Sequence, residues 1–403
     1  MQEKSLAKEL QSYAEAGILQ EDVQSGLIYG TTYVRKEGHI GKGILLVHGN
    51  SGNRFGLAIL ANRLAKAGYF CLSIDLPSHY KNPNPLEIGI ISETIIEAVV
   101  YLKEHYKLEH VGIVGHSLGA IGALFAGAGY TTNIEKELVA QLEKMRDYLV
   151  QKEKILQSDL GELLKKEKEE FEELDKSLDH TYQQIKKILF DAMQQSITMR
   201  LNVRCYVMLA PPRNIKKAYP AINVLQKLPK KAVKSIVEFA FHKPAVKQIM
   251  KEGNVVQYKP EQDPAYVNMQ FFKTKEIFEF LRYISKVDEP GDFLSLLDYL
   301  AAIKRKEQKT NMIQYYYDKY IGQAPKLIIY GKYDLLLRPF MPFEQTKLEK
   351  MYRCCGNAEI IYGNYSHIML DKPTQQMSSV AVRNEDVIYR ITVFLEKHLR
   401  HAR

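Results

Sequence analysis

Gly115-His116-Ser117-Leu118-Gly119 lies between an apolar run, Val111 to Val114, and a run of small residues, Ala120 to Ala128. Few stretches of five residues restrict a chain more. A buried-type strand that passes through a glycine-flanked turn straight into a helix must pack back to back with that helix, in a sheet whose faces are covered. The flanking glycines, Gly115 and Gly119, are needed because side chains beside so tight a turn would collide. The turn lifts the Ser117 oxygen above the sheet edge, and the helix N-terminus behind it favours developing negative charge. Ser117 is therefore a candidate nucleophile, with His116 inside its elbow.

The surrounding segments keep the same rhythm. Leu27 to Val34, Gly43 to Val47 and Phe70 to Ile74 read as strands, and Phe55 to Ala67 and Ser92 to His105 as amphipathic helices. Later, Leu201 to Ala210, Lys326 to Tyr330 and Glu359 to Tyr362 read as strands, and Val387 to Arg400 as a closing helix. Short apolar strands separated by helices predict the α/β class, with a mostly parallel central sheet and helices on both faces. The expected division is an N-terminal helical segment (1–26), a first core part (27–130), an insertion (131–200), a core strand (201–212), a second insertion (213–323) and a C-terminal core part (324–403).

The two insertions differ in character. Within 131–200 apolar residues recur near a 3.5 spacing, as in Leu138, Leu142, Met145 and Leu149, and again in Phe171, Leu174, Leu178, Ile185 and Leu189. One helix of such length would extend about 100 Å at 1.5 Å per residue, and the chain must return to its sheet. The expectation is a helical hairpin that reverses near Ser158-Asp159-Leu160-Gly161 and projects as an antiparallel coiled-coil arm. The 213–323 segment is helical but broken at Pro229, Pro244, Pro260, Pro264 and Pro290, and reads as a helical cap. It holds 20 Lys/Arg against 12 Asp/Glu, so much of the net charge of +9 falls there. Contact with an anionic membrane surface and an ordinary solvated surface both account for that excess.

His48-Gly49-Asn50-Ser51-Gly52 directly follows the strand 43–47. Together with the G-x-S-x-G turn it makes the chain resemble the α/β-hydrolases, over about 27–130, 201–210 and 324–400. The resemblance implies that the backbone N–H groups of Asn50 and Leu118 form an oxyanion hole. It also implies a triad in the order serine, acid, histidine. Asp334, after the strand 326–330, and His367, after the strand 359–362, stand at strand C-terminal ends, where open parallel sheets place their sites. A serine needs such a base and an orienting acid. Asp75, Asp371 and Asp318 are rival acids. Asp75 precedes the serine, Asp371 stands only four residues past the histidine, and Asp318 falls in the cap. One departure is Asp75-Leu76-Pro77-Ser78-His79-Tyr80, where many relatives carry Asp-x-x-Gly-His-Gly.

Other chemistries find little support. There is no Walker A sequence, no G-x-G-x-x-G opening a helix and no H-x-H or H-E-x-x-H spacing, so neither a cofactor nor a metal is expected. Cys71, Cys205, Cys354 and Cys355 form no C-x-x-C pair, which points to a reduced, cytoplasmic compartment. Met1 to Gly17 lacks an apolar stretch of the secretory kind, and no transmembrane helix is expected. The resemblance implies a serine hydrolase, carboxylesterase- or lipase-like, acting on a small acyl ester or thioester that includes lipid. A homodimer through the arm fits the coiled-coil spacing, and nucleic acid is not an expected partner. The alternatives are a non-catalytic scaffold using arm and cap, and, within enzymes, a serine peptidase.

Overall fold

Runs rich in Val, Ile and Leu that are apolar on both sides can be satisfied only between two layers of helices, and the computed structural model places them there. It describes residues 17–49, 52–134, parts of 136–151, 165–194, 196–211, 324–332, 334, 357–366, 369, 382 and 384–400. The strands are β1 (Ile18–Ser25), β2 (Ile28–Arg35), β3 (Lys42–Val47), β4 (Phe70–Ile74), β5 (His110–His116), β6 (Val203–Leu209), β7 (Lys326–Gly331) and β8 (Ala358–Gly363). The helices are α1 (Ala58–Lys66), α2 (Ile88–Glu104), α3 (Leu118–Gly127), α4 (Lys165–Gln194), the single turn α5 (Ile197–Arg200) and α6 (Glu385–Leu395), which continues as a wider turn over Glu396–Arg400.

The described strands form one sheet in the order β1-β2-β4-β3-β5-β6-β7-β8. From β4 to β8 the pairings are parallel, whereas β2 joins β4 antiparallel and β1 pairs antiparallel with β2. Alternation along each strand divides the core. Leu45 and Val47 of β3 and Ile328 and Tyr330 of β7 face the layer of α2, α3 and α4. Ile44 and Leu46, with Leu327 and Ile329, face α1 and α6 on the other side. Helices on both faces are as expected.

One boundary differs. Residues 18–25, expected inside an N-terminal helical segment, form β1, paired from Ile18 with Arg35 to Ser25 with Ile28. Only Ile18 and Val23 of this strand are buried. An edge strand with one wet face needs no regular alternation. Its state is set by the backbone of β2 rather than by its own residues.

The first insertion is rooted firmly. Thr132 donates through its N–H and hydroxyl to the two Glu93 carboxylate oxygens at 2.8 and 2.9 Å. At the return, Thr198 donates to the Gly127 carbonyl at 3.1 Å, and Ser196 donates to the same oxygen. Helical residues are described at 132–134 and within 136–151, followed by α4, about 45 Å long at 1.5 Å per residue. Leu174, Thr181, Ile185, Ile188 and Ala192 are buried along α4, with Leu178 partly so, which spaces the seam by four and three residues in turn. Ile185 and Ile188 join the sheet's own core, so this end of the helix lies on the domain. The expected reversal near 158–161 and the expected cap at 213–323 lie outside the described residues.

Ile185 is fully buried and Lys187 exposed. Ile185→Ala should therefore lower stability in urea unfolding by about 2–4 kcal/mol, as for other buried large-to-small changes. Lys187→Ala should be neutral. An indifferent Ile185→Ala would mean that α4 does not dock on the core.

Candidate active site

β3 and β5 are hydrogen-bonded neighbours, yet the chain leaves β3 towards β4 on one flank and β5 towards β6 on the other. The loops that follow them must therefore part, and the crevice between diverging loops is where open parallel sheets bind ligands. His48-Gly49 ends β3 and Ser117 ends β5, so the two motifs singled out in the sequence meet at this point.

Ser117 is held at φ 50° and ψ −114°. A side-chain-bearing residue there costs about 1–3 kcal/mol and persists only where its surroundings over-determine it. Its N–H donates to the Leu209 carbonyl of β6 at 2.8 Å, and its carbonyl accepts from the Ala120 and Ile121 N–H groups at 3.0 and 3.3 Å. All ten residues of α3 are buried, and the Ser117 hydroxyl does not turn back to cap that helix. A methyl group on Gly119 would overlap the carbonyl oxygens of Val47 and His48. One on Gly49 would lie 2.9 Å from Ser117 Cβ and 2.8 Å from His116 Nδ1. Glycine at both positions lets α3 and the loop after β3 close on the serine.

Ser78 and Tyr80 after β4, Ser117 after β5 and Ala210 after β6 all have positive φ at the C-terminal rim. At the opposite rim Lys107, Asn202 and Asn357, also at positive φ, precede β5, β6 and β8.

Asp334 is fully buried just beyond β7, its N–H donating to the Gly331 carbonyl at 3.1 Å. β7 is two strands from β5, about 10 Å across the sheet. The segment after β8 crosses directly over this corner. The Gly331 Cα approaches the Tyr365 and Ser366 carbonyls so closely that any side chain would clash with them. Lys332 donates its N–H to the Gly363 carbonyl at 2.7 Å. Ser366 and Met369 are buried and joined by a 3.0 Å turn hydrogen bond. His367 lies outside the described residues, as do Asn50 and the rival acids Asp371 and Asp318. Leu118, Gly115 and His116 are buried at the elbow.

The third rival, Asp75, is occupied elsewhere. Its Oδ1 accepts the Arg54 N–H at 2.7 Å, its Oδ2 faces Arg54 Nε at 3.6 Å, and its own N–H donates to the Tyr29 carbonyl. Burial raises its carboxyl to about 7, with Arg54 opposing the shift. Arg54 itself is 1 % exposed and was not singled out by its sequence context. No local signal marks it, since an arginine in a loop ordinarily reaches water, and its burial follows from partners distant in the chain.

Two histidine rings, His48 and His79, pack here at a 60° tilt with centroids 5.1 Å apart. His48 Nδ1 donates to the Gly49 carbonyl at 2.6 Å, so its Nε2 is the acceptor for the Leu76 N–H at 3.0 Å. His79 Nδ1 donates to the Pro77 carbonyl at 2.7 Å. Burial holds His79 down at about 4 and, with the His79 ring beside it, His48 well below the usual imidazole range. Both are neutral in the native state, whereas unfolded histidines gain protons below about 6.5. Their share of stability is present above that pH and is lost as pH falls towards 4. Asp75, raised, acts in the opposite sense over the same interval, one group against two. His79→Asn keeps a donor for the Pro77 carbonyl and should flatten the acid limb. Urea unfolding at pH 7 and 4.5 should show the wild type losing about 2 kcal/mol more than this variant.

Among the described residues no group of three or more His, Cys, Asp or Glu side chains could hold a metal ion, and no helix is long and apolar enough to cross a membrane.

No curated protein matches the sequence. Among solved structures, the chain is similar to an esterase from Pyrococcus furiosus at 15% identity and a TM-score of 0.45, covering 96% of this chain and 92% of that one. It is similar to an esterase from Exiguobacterium antarcticum at 15% identity and a TM-score of 0.41, covering 92% of this chain and 100% of the other. An epoxide hydrolase from Vigna radiata gives 13% identity, a TM-score of 0.46 and coverage of 95% and 98%. Residues 43–142, from β3 through the elbow into the first insertion, match the family model described as the alpha/beta hydrolase fold. With that match over residues 43–142 and its eight-stranded, mostly parallel sheet, the chain has the alpha/beta hydrolase fold.

Proposed function

We propose that the protein is a serine hydrolase that cleaves a carboxylic ester or thioester. The observation that carries this reading is Ser117, a non-glycine residue at φ 50° on the strand-to-helix turn, with Gly49 packed against it. A fold maintained only as a scaffold has no use for strain at that residue.

In the proposed mechanism His367 takes the Ser117 proton as Oγ attacks the substrate carbonyl, and Asp334 fixes the imidazole tautomer. The N–H groups of Leu118 and Asn50 hold the resulting oxyanion. His367 then protonates the leaving group, an acyl-enzyme forms, and water activated by the same histidine releases the acid. The assignment of Asp334 is supported by its burial beside the Gly331 corner, where the chain leading to residue 367 crosses. Asp75 is disfavoured because both its carboxylate oxygens face Arg54. Membrane contact through the basic 213–323 segment and pairing through the arm remain proposals founded on sequence alone.

Mass spectrometry after incubation with a fluorophosphonate should find one adduct, on Ser117, that is absent from Ser117→Ala. An unlabelled wild type, in detergent as well as buffer, would sink the enzyme reading. Asp334→Asn should fold normally and lower kcat on p-nitrophenyl butyrate by about 10⁴, the scale for a misoriented triad histidine. Retention of wild-type turnover would remove Asp334 from the triad.

A further inference from the structure

Arg54 is the bulkiest of the fully buried side chains among the described residues. Burying a guanidinium is costly unless its donors are met, and an apolar residue of similar volume stabilises a core at least as well. What an arginine adds is direction, a planar fork that fixes its partners in place.

Its partners span three strands. Nη1 donates to the Gly30 carbonyl of β2 at 2.6 Å, Nη2 donates to Asp22 Oδ2 of β1 at 3.3 Å, and Nε faces Asp75 Oδ2 at 3.6 Å. The main chain of the same residue is held as well. Its N–H donates to Asp75 Oδ1 at 2.7 Å, and its carbonyl accepts the Ser73 hydroxyl of β4 at 2.6 Å. The Tyr80 ring covers the guanidinium at 5.1 Å. Six residues earlier, His48 Nε2 accepts the Leu76 N–H at 3.0 Å. The loop after β3 is thus pinned at both ends to two consecutive residues, Asp75 and Leu76, while Gly49 within it rests on Ser117.

We infer that Arg54 is a positioning residue for the reaction: its fork ties the far end of this loop to β1 and β2, beside the Asp75 carboxylate that its N–H binds, and so keeps the loop in register with Ser117, as His48 does at the near end. The inference rests on the serine-hydrolase reading, in which this loop supplies an oxyanion donor. Arg54 touches no reacting atom, and acts through the loop alone.

The test uses the full chain, with wild type, Arg54→Lys and Asp75→Asn compared. The readouts are p-nitrophenyl butyrate hydrolysis, fluorophosphonate labelling, and inhibition by an alkyl trifluoromethyl ketone, whose serine adduct carries the oxyanion. Arg54→Lys keeps the charge and loses the fork. It should still label at Ser117 and hold KM within about threefold, while kcat falls about 10²-fold, the scale of a donor misplaced by about 1 Å. Affinity for the ketone should fall in step with kcat. A merely structural role would lower kcat and ketone affinity only in proportion to the fraction folded, and that result overturns the inference. If Arg54→Lys does not fold, Asp75→Asn decides the matter. It retains an acceptor for the Arg54 N–H and should show the same pattern at about tenfold, and an unchanged kcat and ketone affinity would overturn the inference. A labelled wild type with indifferent variants removes only the role of Arg54. An unlabelled wild type removes the serine-hydrolase reading, and this inference with it.

Discussion

The close approach of α3 to the ends of β3 and β5 governs the rest of the site. Ser117 occupies a backbone conformation that it would leave if its surroundings allowed. Three surfaces prevent this: the Leu209 carbonyl of β6 behind it, the first turn of α3 after it, and the Val47-His48-Gly49 backbone across from it. Each works at contact distance, and the last two depend on missing side chains, at Gly115 and Gly119 on one side and at Gly49 on the other. A residue larger than glycine at 119 would push α3 away from β3. The serine, released from its restraints, would then relax towards an ordinary helical or extended conformation.

Polar groups beneath the elbow are arranged by burial rather than by surface charge. His48 and His79 stay neutral because the cost of burying an imidazolium exceeds what their carbonyl partners return. Arg54 and Asp75 share a site in which neither could be buried alone. The result is a rigid floor for the loop after β3, made of directed hydrogen bonds. Exposed pairs such as Arg63–Glu385 and Arg390–Asp386 are screened by water and contribute little to this order. The same economy holds at the root of the first insertion, where Glu93 and Gly127 capture the two ends of an excursion through α4. The core can therefore carry a long insertion without disturbing the parallel strands on either side of it.

Much of the fold was legible in the chain because its signals are local. The apolar strands β3 to β7 and the small-residue helix α3 announce themselves within a few residues, through periodicity and glycine placement. The tight turn at Ser117 was legible for the same reason, as was the place of Asp334 just past the end of a strand. β1 was not legible: Ile18 and Val23 are its only buried residues, and its pairing with β2 is a property of another segment. Arg54 was missed because an arginine in a loop reads as solvated until Asp22, Gly30 and Asp75 are known to surround it. Half of the α4 stripe suggested an arm that projects, yet Ile185 and Ile188 belong to the sheet's core. A stripe with a 3.5 spacing does not say what covers it.

By itself, then, the sequence determined the class of the fold, the glycine-flanked strand-to-helix turn that holds Ser117, and the strand ends near Asp334 and residue 363, since each depends on the steric and hydrophobic demands of residues adjacent in the chain. Only the tertiary structure decided the strand order that parts the loops above β3 and β5, the docking of α4, and the pairing of Arg54 with Asp75 behind the elbow. Those features join residues that are far apart in the chain and near in space. Their energies come from desolvation and from bonds between separate strands, which no local pattern encodes.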